Sequence, residues 1–558
     1  MTNHSFSTVG VVGAGAMGRG IAQLAAQAGC RVVLLDAQPG AAEAARSTIV
    51  AYWQQSQARE RISAAQAHTW TTQLQAVDGL SALAGCDLVV EAIVERADAK
   101  QALFADLETL LPAQAVLATN TSSLSVTALA AQLQHPERFA GLHFFNPAPL
   151  MKVVEIVPGL RTDMAVCERL DALVRAMGHT PVRAQDTPGF IVNHAGRGYT
   201  TEALRIVEEG VADCATVDRI LREQAGFKLG PFELMDLTGL DVSHPVMESI
   251  YHQFYEEPRF RPSVTTAQRL AGGLWGRKTG EGFYRYTDGT AQQPAEPPAP
   301  QVDSVPPVWV SPRAARRAEI YQLLKNLGAD IETGAAPSAG ALILVAPLGF
   351  DVTTVAVVER LDPARTIGID MLIDEASTQR RVLATNPTTR SDIRAAAHAL
   401  LARDGKPVSV VRDSGGFVTQ RVVACIVNIA ADICQRRICT AICQCLFKML
   451  QRSCSTGRDY RNRYTVSNRT CQFQIISSLR SVTVHTCQKN LTCTKGLYFL
   501  RPLNCIDTDI QTSTILINIP SCSVCSFLCI NRHYYTLASK LLCRFTDQLR
   551  SVDCRRID

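Results

Sequence analysis

The sequence predicts an α/β protein in which a doubly wound, mostly parallel sheet is followed by an all-α domain. Three observations carry this prediction. Short apolar runs alternate with helical patterns through the first 187 residues, a glycine turn directly follows the first apolar run, and long helical patterns replace this alternation near Pro188. At 558 residues the chain is long enough for several domains, each with its own core.

The first strand is predicted at residues 8–12, and the turn Gly13-Ala14-Gly15-Ala16-Met17-Gly18 follows it directly. An alanine-rich helix then ends near Gly29, and a second buried strand at 31–36 ends on Asp36. A strand, glycine turn, helix and second strand form the setting in which G-x-G-x-x-G indicates dinucleotide binding. The sheet is therefore expected to be of the Rossmann type.

Each residue of this motif has an expected role in binding a dinucleotide. Gly13 permits the tight turn, Gly15 lets a pyrophosphate approach the helix N-terminus, and Gly18 allows close packing of the helix. Asp36 would accept hydrogen bonds from the adenosine ribose and repel a 2′-phosphate. The sequence therefore predicts NAD rather than NADP as cofactor.

Further strands are predicted at 88–92, 115–119, 139–143 and 153–157. Asn120 and Ser122 follow one of them, although such a Ser/Thr-rich cluster also occurs as a helix cap. His143 ends the next strand, and a single histidine is more often structural. Glu155 favours a catalytic histidine, because it falls on a neighbouring strand where it could hydrogen-bond the second ring nitrogen.

Composition and pattern divide the chain into five regions. The sheet domain is assigned to 1–187, the helical domain to 188–286, and a linker to 287–308, where six prolines fall between 294 and 307. Residues 309–440 are interpreted as a truncated second copy of the first half. Residues 441–558 form an anomalous C-terminal tail.

The second copy is inferred from two pairs of similar sequence segments. Residues 412–418 (RDSGGFV) resemble 185–191 (QDTPGFI), and residues 368–371 (GIDM) resemble 141–144 (GLHF). This copy has no glycine-rich turn, and Asp370 takes the place of His143. We therefore expect it to be degenerate, non-catalytic and without cofactor.

The tail differs in kind from the rest of the chain. It carries 12 of the 19 cysteines, no Glu, and 16 Lys and Arg against 6 Asp and Glu. A metal module built on Cys522 and Cys525 is the functional alternative, but no second C-x-x-C or His pair follows at zinc-ribbon spacing. We expect no metal site and interpret the tail as poorly ordered, from an out-of-frame or read-through stretch.

The remaining 440 residues are mildly acidic, with 40 Lys and Arg against 45 Asp and Glu, which argues against a nucleic-acid partner. No run of eighteen apolar residues and no signal-peptide pattern appears, so neither membrane association nor secretion is expected. Thiols are sparse in this part, as in a reducing compartment. These features predict a cytoplasmic protein.

Five motifs in order resemble the L-3-hydroxyacyl-CoA dehydrogenase family. Besides the glycine turn these are 91–95 (EAIVE), 120–123 (NTSS), 143–147 (HFFNP), 188–193 (PGFIVN) and 276–284 (GRKTGEGFY). The resemblance covers residues 6–286. It extends more weakly to about 440, where the chain is similar to longer bacterial members of the 3-hydroxyadipyl-CoA dehydrogenase type of phenylacetate catabolism.

The resemblance implies oxidation of an acyl-CoA substrate with reduction of NAD, in fatty-acid or phenylacetate degradation, and a homodimer formed through the helical domain. It makes His143 the base, Glu155 the carboxylate that orients it, and Ser122 and Asn193 the contacts to the 3-oxygen or the thioester end of the substrate. A further set is implied in contacts on the nicotinamide or CoA side: Glu95, Lys100, Asn120, Asn146 and Lys278.

Two other classes of protein share some of these features. The beta-hydroxyacid dehydrogenases share a G-x-G-x-M-G turn and a helical second domain, but they use a catalytic Lys and lack the H-F-x-N-P motif. The second alternative is a non-catalytic binding or structural protein of the same fold, suggested by the damaged C-terminal half. NADH formation on a 3-hydroxyacyl-CoA would separate the enzyme from this alternative.

Overall fold

The computed structural model describes residues 5–438, together with the backbone of two short paired strands at Gln472–Gln474 and Thr483–His485. The interpretation of 441–558 as a poorly ordered tail without metal falls, apart from those strands, outside the described residues. The described chain forms two compact units. The first contains residues 5–194, 252–254 and 436–438, and the second contains 195–251 and 255–435.

The first unit is built on an eight-stranded sheet in the order β3-β2-β1-β4-β5-β6-β7-β8. Its strands are β1 Thr8–Val12, β2 Arg31–Leu35, β3 Leu74–Val77, β4 Leu88–Glu91, β5 Val116–Thr119, β6 Phe139–Phe144, β7 Val153–Pro158 and β8 Thr180–Arg183. Neighbouring strands run parallel, except that β6 and β7 are antiparallel. The doubly wound Rossmann-type sheet predicted from the sequence is confirmed.

Helices connect these strands: α1 Ala16–Gln27, α2 Ala41–Ala58, α3 Ala64–Gln73, α4 Ala97–Leu110, α5 Val126–Ala130 and α6 Met164–Ala176. Buried residues of α1, α2 and α6 pack with the strands in one core. The central strands β4, β5 and β6 are buried along their whole length, since helices cover both faces of such a sheet. Polar residues on these strands are therefore exceptions that need partners.

A helical region follows: α7 Val192–Glu208, α8 Cys214–Glu223, α9 Pro231–Thr238, α10 Leu240–Gln253 and α11 Val264–Ala271. An antiparallel hairpin of β9 Arg285–Thr287 and β10 Thr290–Gln292 comes after them. The all-α domain predicted after the first sheet is confirmed. The division into five sequence regions stays a prediction.

The second unit also contains a six-stranded sheet in the order β12-β11-β13-β14-β15-β16. Its elements are β11 Val308–Val310, α12 Arg317–Asn326, β12 Ile331–Glu332, β13 Leu342–Val345, α13 Val352–Glu359, β14 Thr366–Ile369, β15 Arg381–Thr385, α14 Ser391–Leu401, β16 Val408–Arg412 and α15 Val418–Gln435. Only β14 and β15 pair antiparallel in this sheet. That pattern parallels β6 and β7, but the duplication itself stays a hypothesis.

One local contact recurs in the two sheets. Asp186 accepts hydrogen bonds from the first backbone amides of α5, including that of Val126 at 2.9 Å. Asp413 does the same for α13, accepting from the amides of Val352 and Thr353. Both aspartates lie in the similar segments of the sequence, which supports the hypothesis of a second copy.

Within the second unit the helices and the second sheet share one core. Helical residues such as Ile220 and Phe232 belong to the same buried cluster as Trp309, Ile343 and Phe417 of the sheet region. The proline-rich segment is tied into this unit, because Glu296 pairs with the buried Arg380 through both carboxylate oxygens.

Helix α15 also packs directly on α7. A Cβ atom at Gly198 would lie 2.9 Å from the backbone nitrogen of Ile426, so the two helices cross almost backbone to backbone. Arg421 is buried there and pairs with Glu202 and Glu209 of α7 and the turn after it. In the part of the chain that the structure describes, no helix combines the length and apolar character needed to span a membrane.

Candidate active site

The glycine turn between β1 and α1 requires glycine at two of its three positions. A Cβ at Gly13, whose φ is +104°, would lie 2.4 Å from the carbonyl oxygen of Ala92. A Cβ at Gly18 would lie 1.7 Å from the carbonyl oxygen of Gly13. No atom lies within 4 Å of the corresponding point at Gly15, so the approach to the start of α1 is open.

The N-terminus of α1 fits a dinucleotide phosphate. Gly15 caps this helix without a side-chain hydrogen bond, and the first turn carries no acidic residue. Amide groups at a helix N-terminus favour an anion, and an acid here would repel it. The residues present therefore suit the pyrophosphate of NAD.

Asp36 follows β2, next to this turn. Its Oδ2 accepts a hydrogen bond of 2.6 Å from the Ala14 amide, and its Oδ1 accepts one of 2.9 Å from the Gln38 amide. These contacts fix the carboxylate beside the glycine turn while leaving lone pairs on both oxygens, because each carboxylate oxygen can accept two hydrogen bonds. The position suits recognition of a ribose diol.

His143 and Glu155 lie directly opposite each other on the antiparallel strands β6 and β7. The Nδ1 atom of His143 is 2.6 Å from Oε2 of Glu155, and both side chains are buried. Within the described residues no hydrogen bond reaches Nε2 of His143. A carboxylate on Nδ1 places the proton there and leaves Nε2 as the basic atom.

Glu155 is fixed in place by the start of α7. Its Oε1 accepts hydrogen bonds of 2.9 Å from the backbone amides of both Ile191 and Val192. The side chain is fully buried, so these two donors and His143 replace its hydration. The rings of Phe145 and Phe190 lie 4.5 and 5.7 Å from the ring of His143 and restrict its orientation.

Ser122 and Asn193 are brought together in the same unit. The side-chain amide of Asn193 donates a 3.2 Å hydrogen bond to the backbone carbonyl of Ser122. Ser122 lies in the loop that follows the carboxyl end of β5, and β5 pairs with β6, the strand that carries His143. The carboxyl ends of β1, β5 and β6 lie at one sheet edge, the edge at which such sheets bind ligands.

The loop that carries Ser122 is anchored by Glu95. Oε1 of Glu95 accepts from the Thr121 hydroxyl and the Ser122 amide at 2.7 Å each, and from the Ser123 amide at 3.0 Å. Burial opposes the charged form of Glu95, but Lys100 and these donors outweigh it and lower its pKa. Glu95 therefore remains ionised and fixes the loop.

Lys100 is 1% exposed and lies between two carboxylates. Its Nζ is 2.6 Å from Glu91 and 3.2 Å from Glu95. Glu91 also accepts from the hydroxyl of Thr119, and burial raises its pKa despite the nearby ammonium group. This network links the ends of β4 and β5 to the start of α4.

The remaining site residues predicted from the sequence have different surroundings. Asn120 accepts a 2.8 Å hydrogen bond from the Phe144 amide and so joins the ends of β5 and β6. Asn146 is exposed in the loop after β6. Lys278 belongs to the second unit, where its ammonium group pairs with Asp241 at 2.5 Å.

Several contacts at the site were not predicted from the sequence. The amides of Ile191 and Val192, within the PGFIVN motif, donate to Glu155, but backbone donors leave no residue-type signal. Glu91 belongs to the EAIVE motif, but the sequence did not predict its contacts with Lys100 and Thr119. Gln253 donates a 2.6 Å hydrogen bond to the Ser123 carbonyl from 130 positions away, and no local pattern could reveal it.

A buried imidazole backed by a carboxylate, at the sheet edge where a dinucleotide turn also ends, is suited to taking a proton from an alcohol. The fold and the site thus define a dinucleotide-dependent oxidoreductase. The family model described as the NAD binding domain of 3-hydroxyacyl-CoA dehydrogenase matches residues 8–187, and the model of the C-terminal domain matches 189–286. The chain belongs to the 3-hydroxyacyl-CoA dehydrogenase family.

Individual proteins of similar sequence are also named as dehydrogenases of this kind. The chain is 38% identical over 434 residues to 3-hydroxyadipyl-CoA dehydrogenase of Escherichia coli, which covers 77% of this chain and 85% of that protein. It is 38% identical over 289 residues to human mitochondrial hydroxyacyl-coenzyme A dehydrogenase, covering 50% of this chain and 90% of that one.

A solved structure extends the similarity beyond the first half. The crystal structure of 3-hydroxybutyryl-CoA dehydrogenase from Escherichia coli matches with a TM-score of 0.66 and 35% identity, covering 80% of this chain and 89% of that one. The chain is accordingly an NAD-dependent 3-hydroxyacyl-CoA dehydrogenase, as the sequence predicted. The beta-hydroxyacid dehydrogenases and a non-catalytic role are not favoured.

Metal binding was not expected from the sequence. Among the described residues no three His, Cys, Asp or Glu side chains are grouped so as to hold a metal ion. Burial raises the pKa of the Cys30 thiol to about 12, so that thiol is a poor ligand and a poor nucleophile.

Proposed function

We propose that His143 is the general base of this dehydrogenase and that Glu155 positions it. The observation that carries this proposal is the buried 2.6 Å contact of Glu155 with Nδ1 of His143, itself fixed by two backbone amides. The pair sets one tautomer, with Nε2 free to accept a proton. A positioned histidine of this kind contributes about 10²–10⁴-fold to rate.

In the proposed reaction the 3-hydroxyl group of an L-3-hydroxyacyl-CoA loses its proton as C3 loses a hydride, giving the 3-oxoacyl-CoA. NAD supplies the hydride acceptor when bound. Nε2 of His143 takes the hydroxyl proton, and Glu155 stabilises the imidazolium form through Nδ1. Ser122 and Asn193 hold the substrate oxygen that becomes a carbonyl, as a hydroxyl and an amide directed at a polarised oxygen do.

Gly13, Gly15, Gly18 and Asp36 would hold the pyrophosphate and adenosine ribose of NAD. The surroundings of Glu95 and Lys100 support a role in fixing the Ser122 loop, in addition to any contact on the nicotinamide or CoA side. Asn146, being exposed, is proposed as a direct cofactor contact, whereas Asn120 contributes one side-chain acceptor to β6. Lys278 is proposed as a CoA-side or nicotinamide-side contact on the resemblance alone.

The acyl group is proposed from the relatives. One is named for a dicarboxylic substrate, 3-hydroxyadipyl-CoA, and another for 3-hydroxybutyryl-CoA. We infer a role in phenylacetate or fatty-acid degradation, and because both relatives match this chain over about four fifths of its length, the proposal includes both acyl groups.

Location and partners are also proposals. We infer a cytoplasmic enzyme whose partner is an acyl-CoA, without nucleic acid or membrane. The homodimer through the helical domain is proposed on the resemblance. A complete second copy in the same chain would favour a monomer or a weak dimer, and α15 does cover part of α7. Because recognisable family sequence is lost after Thr440, we instead expect self-association or aggregation, which a clean monomer by light scattering would refute.

The test is NADH formation by the full chain on 3-hydroxybutyryl-CoA, a medium-chain 3-hydroxyacyl-CoA and 3-hydroxyadipyl-CoA. His143→Gln serves as the inactive control, expected to lower turnover by about 10²–10⁴ while NAD binding is retained. Activity that survives unchanged in His143→Gln would refute the assignment of the base. Absence of NADH formation with all three substrates would instead favour the non-catalytic alternative.

A further inference from the structure

His179 is a buried histidine outside the proposed catalytic set. It is 5% exposed and lies between α6 and β8, directly after Gly178, whose φ is +73°. Its backbone amide donates to the Val174 carbonyl at 3.0 Å and so closes the last turn of α6. The position of the ring is therefore fixed by the end of this helix.

Both ring nitrogens of His179 face carbonyl oxygens. Nδ1 lies 2.9 Å from the Met177 oxygen, and Nε2 lies 3.0 Å from the Ala148 oxygen. A carbonyl oxygen only accepts hydrogen bonds, and neutral imidazole has one N–H and one bare nitrogen. Both contacts can be hydrogen bonds only when both nitrogens carry hydrogen, that is, in the imidazolium form.

The surroundings favour a cation in one respect and oppose it in another. Met177 caps the C-terminus of α6, where helix carbonyls stabilise positive charge. The last turn of α6 carries Arg175, and the loop of the Ala148 carbonyl carries Lys152, which donates to the Pro149 carbonyl. Asp171 of α6 is already paired with Arg183 of β8, and the ring of Phe144 packs on the imidazole from β6.

The Ala148 carbonyl belongs to the loop between β6 and β7, which also carries Asn146. This loop packs on the dinucleotide-binding helix, since a Cβ at Gly20 of α1 would lie 2.9 Å from the Ala148 side chain. Ala148 is itself buried. A hydrogen bond to its carbonyl thus holds the loop two residues from Asn146.

We propose that His179 is a positioning residue for the cofactor half of the site, acting as a buried imidazolium that bridges the Met177 and Ala148 carbonyls and fixes the loop that carries Asn146. This inference rests on the proposed role of Asn146 in cofactor binding. His143 and His179 then serve opposite purposes, because one keeps a bare nitrogen for a proton and the other needs both nitrogens protonated.

The first test is the protonation of His179 in the full chain labelled with ¹⁵N-histidine, assigned by comparison with His179→Gln. Nitrogen chemical shifts at neutral pH are expected to show both ring nitrogens protonated. A bare ring nitrogen at neutral pH would overturn the proposal. This measurement needs neither substrate nor turnover.

The second test compares His179→Lys with His179→Phe. Lys supplies several donors and a permanent charge, whereas Phe keeps an aromatic ring of similar shape without donors. His179→Phe is expected to raise the KM and the Kd for NAD about tenfold, because binding must then also order the loop that carries Asn146, with kcat changed less than about threefold. His179→Lys is expected to restore most of the NAD affinity.

Equal NAD affinity in the parent and His179→Phe, or no recovery in His179→Lys, would contradict the proposed role. Direct titration of NAD separates this result from a failure of the proposed function. If the parent bound NAD and His179→Phe bound it weakly while no substrate were oxidised, the positioning role would stand and the assigned dehydrogenase reaction would fall.

Discussion

Replacing Glu155 with Gln tests the central pair of the site, because the substitution leaves no arrangement that satisfies all partners. The carboxylate accepts from His143 through Oε2 and from the Ile191 and Val192 amides through Oε1. Gln has one acceptor oxygen and one donor group. If the oxygen keeps the two backbone amides, the NH₂ group faces Nδ1 of His143.

In that arrangement the NH₂ group donates to Nδ1, so the imidazole proton moves to Nε2 and the base is lost. In the flipped arrangement the NH₂ group meets two backbone N–H donors, which leaves buried groups unsatisfied at about 1–3 kcal/mol each. Because this cost exceeds that of the wrong tautomer, we expect the first arrangement. Turnover should then fall by about 10²–10⁴, the range for losing a general base.

The assay follows NADH formation with saturating NAD and 3-hydroxyacyl-CoA, together with titration of NAD in the absence of substrate. NAD affinity is expected to stay within about threefold, since Asp36 and the glycine turn are separate from the pair. Glu137→Gln is the matched control, because it makes the same change of charge at a side chain that is 55% exposed. It should leave turnover unchanged.

The double variant His143→Gln with Glu155→Gln makes the test sharper. When two residues act as one unit, removing either one removes the function of both. The double variant should therefore lose about as much turnover as the more severe single variant. Multiplying losses, or a Glu155→Gln enzyme within about threefold of the parent, would show that Glu155 is structural and that His143 has another partner.

Three further predictions concern the cofactor, pH and stability. The parent should prefer NAD over NADP by at least about tenfold in kcat/KM, and Asp36→Arg should weaken that preference, since each 1.4 kcal/mol of charge contact is about a factor of ten; equal use of both cofactors by the parent would contradict this. Burial raises the pKa of Asp218 to about 7, so protonation of this carboxyl favours the folded chain. The resulting stabilisation, at most about 4 kcal/mol, is complete below about pH 4 and is lost as the pH rises through about 7. The free energy of unfolding of Asp218→Asn should therefore depend less on pH across that range than that of the parent. Arg380→Met should lower the free energy of unfolding in urea by about 3 kcal/mol by leaving Glu223 and Glu296 without their buried partner, whereas the exposed control Arg390→Met should change it by less than about 0.5 kcal/mol.

Elements that are buried on both faces were predictable from the sequence. The first strand was placed at 8–12, as observed, because a central parallel strand appears as a continuous apolar run bounded by a turn. His143 and Glu155 were paired because their spacing suits two adjacent strands. The observed register of β6 and β7 places them directly opposite each other.

Contacts that depend on backbone groups or on distant chain segments were not predictable. Nothing in the residue types of Ile191 and Val192 shows that their amides meet Glu155. Lys100 was named only through the resemblance, and its buried position between Glu91 and Glu95 was not predicted. The carbonyl partners of His179 also leave no signal in the sequence, since any residue supplies a carbonyl oxygen. These contacts follow from the fold and not from local pattern.

The shared core of the second unit has a consequence for dissecting this protein. A fragment that ends after the helical region, at residue 286, would uncover the apolar side chains that Trp309, Ile343 and Phe417 now bury. The proline-rich segment has the composition of a linker, yet its Glu296 is paired with the buried Arg380 of the second sheet region. Residues 195–435 should therefore resist limited proteolysis and unfold as a single cooperative block. In this chain the stability of the helical region depends on the second sheet, whereas relatives of about half this length have fewer residues to supply it.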